Sequence, residues 1–141
     1  MEHMTRDEIR SFLLDQVHTG KLATVRADGR PHVVPIWYDM DGDDLIFTTW
    51  HASVKGKNIA RDGRVAICVD NEQPPFDYVM IEGTAKLIDD LNELRRWATR
   101  IGGRYMGTDQ AEAFGKRNGV VGELVVRVTP THSVAYKGVA E

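Results

Sequence analysis

At 141 residues, 42% hydrophobic and 28% charged, with 13 Gly and 5 Pro, the chain has the composition of one compact domain, which excludes a disordered or fibrous protein. Its 18 Lys and Arg against 21 Asp and Glu leave a net charge of −3, so it lacks the broad positive field of a nucleic-acid binder. The lone Cys68 excludes an internal disulfide, the scattered histidines make no zinc pattern, and no apolar run is long enough for a membrane helix, so a cytoplasmic protein is expected. Residues 1–141 read as a single domain, with 1–4 a flexible N-terminus.

Thr5, followed three residues later by Glu8, makes a capping box, and Ile9, Phe12, Leu13 and Val17 keep to one face, which predicts a helix near 6 to 17. Strands over 22–25 and 33–38 flank Asp28-Gly29, a pair suited to a tight hairpin turn. Pro35 cannot donate to a ladder, so it marks a bulge or an edge where something other than a strand can approach the backbone. Asp39, Asp41, Asp43 and Asp44 surround Gly42 before a third strand over 45–49, which predicts a second hairpin. These acids lack the loop length and closing Glu of a calcium-binding EF-hand and read as a solvated turn.

Ser53 caps a short helix to about Arg61, and Asp62-Gly63 turns the chain into a strand over 64–70. Val65, Ile67 and Val69 share one face of that strand and Cys68 lies on the other, with no activating neighbour. Pro74-Pro75 makes 71–77 a loop, and 78–88 is a long strand interrupted by Gly83. Asp90 and Glu93 cap a helix whose stripe of Leu91, Leu94, Ala98 and Ile101 ends at Gly102-Gly103, and 108–117 is a shorter helix. Strands over 124–129 and 133–136, separated by Pro130, close the chain. Six or seven short strands with peripheral helices predict a mainly β fold, a small barrel rather than a parallel α/β sheet.

Chemistry concentrates between Leu45 and Arg64. Thr48 and Thr49 precede the helix start at Ser53, Lys55, Lys57 and Asn58, so hydroxyls, free amides and cations converge in a local anion site. From Ser53 to Arg64 the charges are Lys55, Lys57, Arg61 and Arg64 against Asp62, a balance of +4 − 1 = +3 in an acidic chain. Phosphate is the natural guest, although a solvated basic helix has the same composition. The glycine patterns of nucleotide-triphosphate and dinucleotide loops are missing.

The order Lys21-Leu22-Ala23-Thr24-Val25, Arg30-Pro31-His32-Val33-Val34-Pro35-Ile36-Trp37-Tyr38, Ile46-Phe47-Thr48-Thr49, Lys55-x-Lys57-Asn58 and Ile81-Glu82-Gly83-Thr84-Ala85 resembles the FMN-binding split β-barrel family. That superfamily includes the pyridoxamine 5'-phosphate oxidase-like proteins, and the chain is most similar to their branch using the deazaflavin coenzyme F420. The resemblance implies a homodimer with the cofactor in a groove at its interface. The ring would lie over Pro35, Ile36 and Trp37, with the phosphate near Thr48, Thr49, Ser53, Lys55, Lys57 and Asn58. Phe76 and Tyr78 would come from the partner subunit, with Tyr78 a candidate proton donor.

Ser53 stands where many relatives carry Arg, and the C-terminal Thr131-His132-Ser133 lacks the Arg-x-His motif of pyridoxamine phosphate oxidases proper. The implied function is an F420-dependent oxidoreductase transferring hydride from reduced deazaflavin to an electron-poor small molecule, with no metal. Arg96 and Arg100 would meet the cofactor's polyglutamyl tail, or form a solvated helix face. The alternatives are an FMN-dependent oxidase or reductase on the same barrel, and a non-catalytic flavin- or haem-binding protein with His132 or His32 as haem ligand.

Overall fold

Alternating apolar residues turn one row of each strand into a common interior in the computed structural model, which describes residues 1–141. The strands are β1 (Glu2–His3), β2 (Gly20–Val25), β3 (Pro31–Ile36), β4 (Asp39–Asp41), β5 (Asp44–Trp50), β6 (Arg64–Asp70), β7 (Tyr78–Ile88) and β8 (Glu123–Lys137). Four helices accompany them: α1 (Arg6–Asp15), α2 (Val54–Arg61), α3 (Leu91–Met106) and α4 (Ala111–Asn118), the last preceded by one tight turn over Thr108–Gln110. The sheet runs β3-β2-β6-β7-β8-β5-β4, with every neighbouring pair antiparallel and β1 added against β8.

The two outer strands of that path, β3 and β4, are joined by only Trp37 and Tyr38. Three consecutive Cα–Cα steps span at most about 11 Å, so the sheet must curl until its edges nearly meet. The result is the expected mainly β split barrel with peripheral helices, built from eight strands rather than six or seven.

Its interior holds Leu22, Ile36, Tyr38, Leu45, Phe47, Ile67, Val79, Ile81, Val126 and Val128, with Leu13 of α1 and Ile59 of α2 packed into the same cluster. A second cluster lies outside the barrel wall, where Leu94, Trp97 and Ile101 of α3 cover Ile46 and Val125.

Several sequence expectations are corrected. Residues 1–4 are not a loose end: Glu2 and His3 pair with Lys137 and Tyr136, and the Met4 amide donates to Ala135 O at 3.0 Å. Helix α1 stops at Asp15, which leaves Val17 54% exposed instead of on its apolar face. The second hairpin is β4–β5, turning at Gly42 with φ 61°; β3 has no pairing with β5. Helix α3 continues through Gly102-Gly103 to Met106, and β8 is one strand whose register shifts opposite Glu82 and Gly83, accommodating Pro130. A bulge lets a ladder pass a residue that cannot donate to it. Pro35 does sit on an edge strand, and Cys68 does face away from Val65, Ile67 and Val69.

The acids of the β4–β5 turn are spent on arginines. Arg127 spans Asp41 at 2.8 Å and Asp44 at 3.1 Å, Arg100 approaches Asp39 at 3.3 Å, and Arg6 pairs with Asp43. Arg127 holds the Asp41 carboxyl below the usual range, Arg64 brings Asp62 down to about 2, and Lys137 lowers Glu8. A carboxyl depressed in the folded state contributes stability above its unfolded value, lost as pH falls through the folded one. The melting temperature should therefore fall between about pH 5 and pH 2.5, less steeply in 1 M salt because these pairs are exposed. Thermal unfolding followed by circular dichroism checks this; a flat acid limb would remove the pairs from any stabilising role.

Candidate functional site

Where β3 leaves the sheet, successive residues part company. Ile36 is 5% exposed and Tyr38 fully buried, its hydroxyl donating to Leu13 O at 2.8 Å, while Trp37 between them stays 37% exposed. Trp37 stacks on Tyr105 of α3, with ring centroids 5.0 Å apart and planes 4° from parallel, and Phe114 of α4 meets it at 5.8 Å. Beside this stack lies a cavity of about 250 Å3. Pro35, Ile36 and Trp37 form one side, Ala98, Ile101 and Gly102 of α3 another, and Thr48, Lys55 and Asn118 supply its polar groups.

Five of the residues expected at a cofactor site thus converge: Pro35, Ile36, Trp37, Thr48 and Lys55. Lys55 is half-buried and forms no ion pair. The carboxyl of Glu123, opposite Trp50 on β8, is pushed up by burial and drawn back by Lys55. An ammonium, a hydroxyl and an amide set among Pro35, Ile36, Trp37, Ala98 and Ile101 suit an anion attached to a flat ring.

The other residues lie elsewhere. Consecutive strand positions face opposite sides, so Thr49 does not share the cavity with Thr48; it is 3% exposed and its Oγ1 sits 2.7 Å from Ser53 Oγ. Ser53 caps α2 by accepting from the Gly56 amide at 3.0 Å. A Cβ on Gly56 would lie 2.9 Å from Trp50 O, so glycine is what lets the helix start fold this closely onto β5.

Asn58 is 4% exposed and its amide is used internally, donating to Thr24 Oγ1 at 3.0 Å and accepting from Arg61 at 3.1 Å. It anchors α2 to the barrel and does not line the cavity. Lys57 is exposed and does not line the cavity. Tyr78 packs 5.9 Å from Tyr136, and Phe76 stands 45% exposed at φ 66°; neither lines this chain's own cavity.

Arg96 and Arg100 lie over the Trp97 ring, at 4.8 and 4.6 Å from its centroid. His132 is exposed opposite Glu82, whereas His32 is half-buried opposite Thr24 with its Nδ1 unpartnered; neither lines the cavity beside Trp37. Tyr105, Phe114, Ala98, Ile101, Gly102 and Asn118 were outside the sequence-based site, since helical spacing marks α3 as a core stripe without saying which rim it reaches. A larger hollow of about 540 Å3 lies between α1 and the β4–β5 turn, but Arg6 and Arg10 at its rim are occupied by Asp43 and Gly42 O.

The family model for pyridoxamine 5'-phosphate oxidase matches residues 5–133. The chain belongs to that family. This is an oxidoreductase family. A 5a,11a-dehydrotetracycline/5a,11a-dehydrooxytetracycline reductase from Streptomyces rimosus is 33% identical over 85 residues, 55% of this chain. The match spans only 60% of that reductase's length. Among solved structures, a conserved hypothetical protein from Mycobacterium tuberculosis superposes with a TM-score of 0.85 at 26% identity, covering 96% of this chain and 86% of that one. An F420 reductase superposes with a TM-score of 0.64, also at 26% identity, covering 87% of this chain and 94% of that one. No helix is long and apolar enough to cross a membrane.

Proposed function

We propose that this protein is an F420-dependent reductase whose bound, reduced deazaflavin supplies a hydride to an electron-poor small-molecule acceptor. The observation that carries this reading is the Lys55 ammonium, free of any ion pair, lining with Thr48 the cleft walled by Pro35, Ile36 and Trp37. Similarity to an F420 reductase supports the cofactor class, and similarity to a dehydrotetracycline reductase supports the direction.

Under this reading Lys55 and Thr48 hold the cofactor's anionic end, with the Ser53-capped start of α2 adding its positive dipole. Trp37 and Pro35 orient the ring, while Ala98 and Ile101 keep water from its far side. With binding, orientation and water exclusion supplied this way, the chemistry needs no nucleophile from the chain.

The cleft is open, and the outer strip of β3 exposes apolar surface, Val33 at 64%. A second copy of the chain covering that strip would close the cleft and bring its own Phe76 and Tyr78 to the ring. Tyr78 is then the proposed proton donor of the partner's site.

The test is a fluorescence titration of cofactor-free protein with F420 and, separately, FMN, repeated on Lys55→Ala. Losing a charge-assisted contact should weaken F420 binding about tenfold or more, with an unchanged melting temperature. Equal affinity in the variant would remove Lys55 from anion binding, and tight FMN binding with weak F420 binding would move the protein to a flavin-dependent oxidase or reductase.

A further inference from the structure

We infer that Tyr105 is a positioning residue for this cleft: it sets where the Trp37 indole stands, and with it the space between β3 and α3. The inference rests on the reading of the cleft as a ring site.

Trp37 lies one residue past the last paired position of β3, Ile36, so no ladder fixes its side chain. Tyr105 takes over that task twice. Its ring lies flat against the indole at 5.0 Å, and its hydroxyl donates to His18 O at 2.7 Å while accepting the Tyr38 amide at 3.1 Å. One side chain thereby ties the entry to β2, the exit from β3 and the exposed aromatic between them to the last turn of α3. Burial raises the Tyr105 hydroxyl above its ordinary value, so it remains a donor across the neutral range.

A stack formed for stability alone would bury both rings. Here Trp37 keeps about a third of its surface open, and that surface lines the cavity with Lys55 and Thr48. The neighbouring Arg104 is already committed, donating to Leu13 O at 2.7 Å and lying 4.9 Å from the Tyr38 ring centroid, so it holds the same turn of α3 against α1 and the exit from β3.

Three variants separate positioning from bulk stability. Tyr105→Phe keeps the ring and loses both hydrogen bonds, Tyr105→Leu loses both features, and Phe114→Leu removes the second aromatic neighbour of Trp37 while leaving the Tyr105 bonds in place. The near-ultraviolet circular dichroism difference between wild type and Trp37→Phe isolates the Trp37 band and needs no cofactor.

Tyr105→Phe should change that band and raise the F420 dissociation constant about threefold; Tyr105→Leu should abolish the band and raise the constant tenfold or more. A lower melting temperature with band and affinity unchanged in the folded variants would overturn the inference. If Tyr105→Leu does not fold, Tyr105→Phe decides by the same criteria, and Phe114→Leu, which leaves the Tyr105 contacts in place, should move the band and the affinity less than Tyr105→Phe does. If the band moves as expected and no form of the protein, wild type included, binds F420, Tyr105 positions Trp37 and the deazaflavin reading alone fails.

Discussion

Trp97→Ala should cost about 3–5 kcal/mol of unfolding free energy. The indole is fully buried and, with Leu94 and Ile101, is what α3 presses onto Ile46 and Val125 outside the barrel wall. Truncation leaves a cavity that the rigid β5–β8 pair cannot collapse into, because those strands are also bound to the interior cluster through Phe47, Val126 and Val128. It also removes the ring over which Arg96 and Arg100 lie.

Trp97→Phe distinguishes lost packing from lost polarity. Trp97 Nε1 is buried without an acceptor, a penalty of about 1–3 kcal/mol that phenylalanine does not incur. The Phe variant should therefore cost about 1 kcal/mol, well under the alanine variant, because relief of that donor offsets part of the smaller ring's void. Urea unfolding of both variants gives the comparison; equal losses, or an alanine loss below about 1 kcal/mol, would show that α3 is held elsewhere. The same variant bears on function, since α3 carries Ala98, Ile101 and Gly102 to the cleft.

What sequence could and could not show follows from the range of each interaction. Local rules found the capping box of α1, the Asp90 and Ser53 caps and the edge character of Pro35, because each depends on residues a few positions apart. Alternation separated Cys68 from the core row, and the family resemblance, with its cluster of Lys55, Thr48 and Pro35-Ile36-Trp37, gathered residues that do meet in one cleft. The same pattern applied to Thr48 and Thr49 would have sent them to opposite faces, yet both were assigned to one phosphate.

That Asn58 bonds to the barrel and does not line the cleft was not legible, because its partner Thr24 is 34 residues away. The short strand β4 hid among acids whose arginine partners are distant: Arg127 lies 86 residues from Asp41. The N-terminal strand β1 depended on Tyr136 and Lys137, the far end of the chain. The most instructive miss is the pair Gly102-Gly103, which local propensity reads as a helix stop.

Gly102→Val should destabilise the protein by about 3 kcal/mol, although propensity alone argues the other way, glycine within a helix being the poorer residue by about 1 kcal/mol relative to alanine. The decision lies in the crossing of α3 and α4. A Cβ at Gly102 would fall 2.3 Å from the Cβ of Phe114 and 3.1 Å from its Cγ. The obstacle is the root of a side chain, not its flexible tip, so the backbone of α4 has to move. At Gly103 the nearest atom is Ala111 Cβ at 2.9 Å, a milder conflict, so Gly103→Ala should cost less than the valine at 102.

These glycines are therefore there for proximity: they let α3 run on to Tyr105 while α4 packs close enough to bring Phe114 against Trp37. Displacing α4 should consequently alter the Trp37 band in near-ultraviolet circular dichroism in whatever fraction of Gly102→Val remains folded, as well as lowering the urea midpoint. A variant as stable as wild type, with the Trp37 band intact, would mean that the helices have room to separate and that the cleft wall does not depend on their close approach. An equally stable variant with an altered band would instead place the glycine requirement in the site and not in the fold.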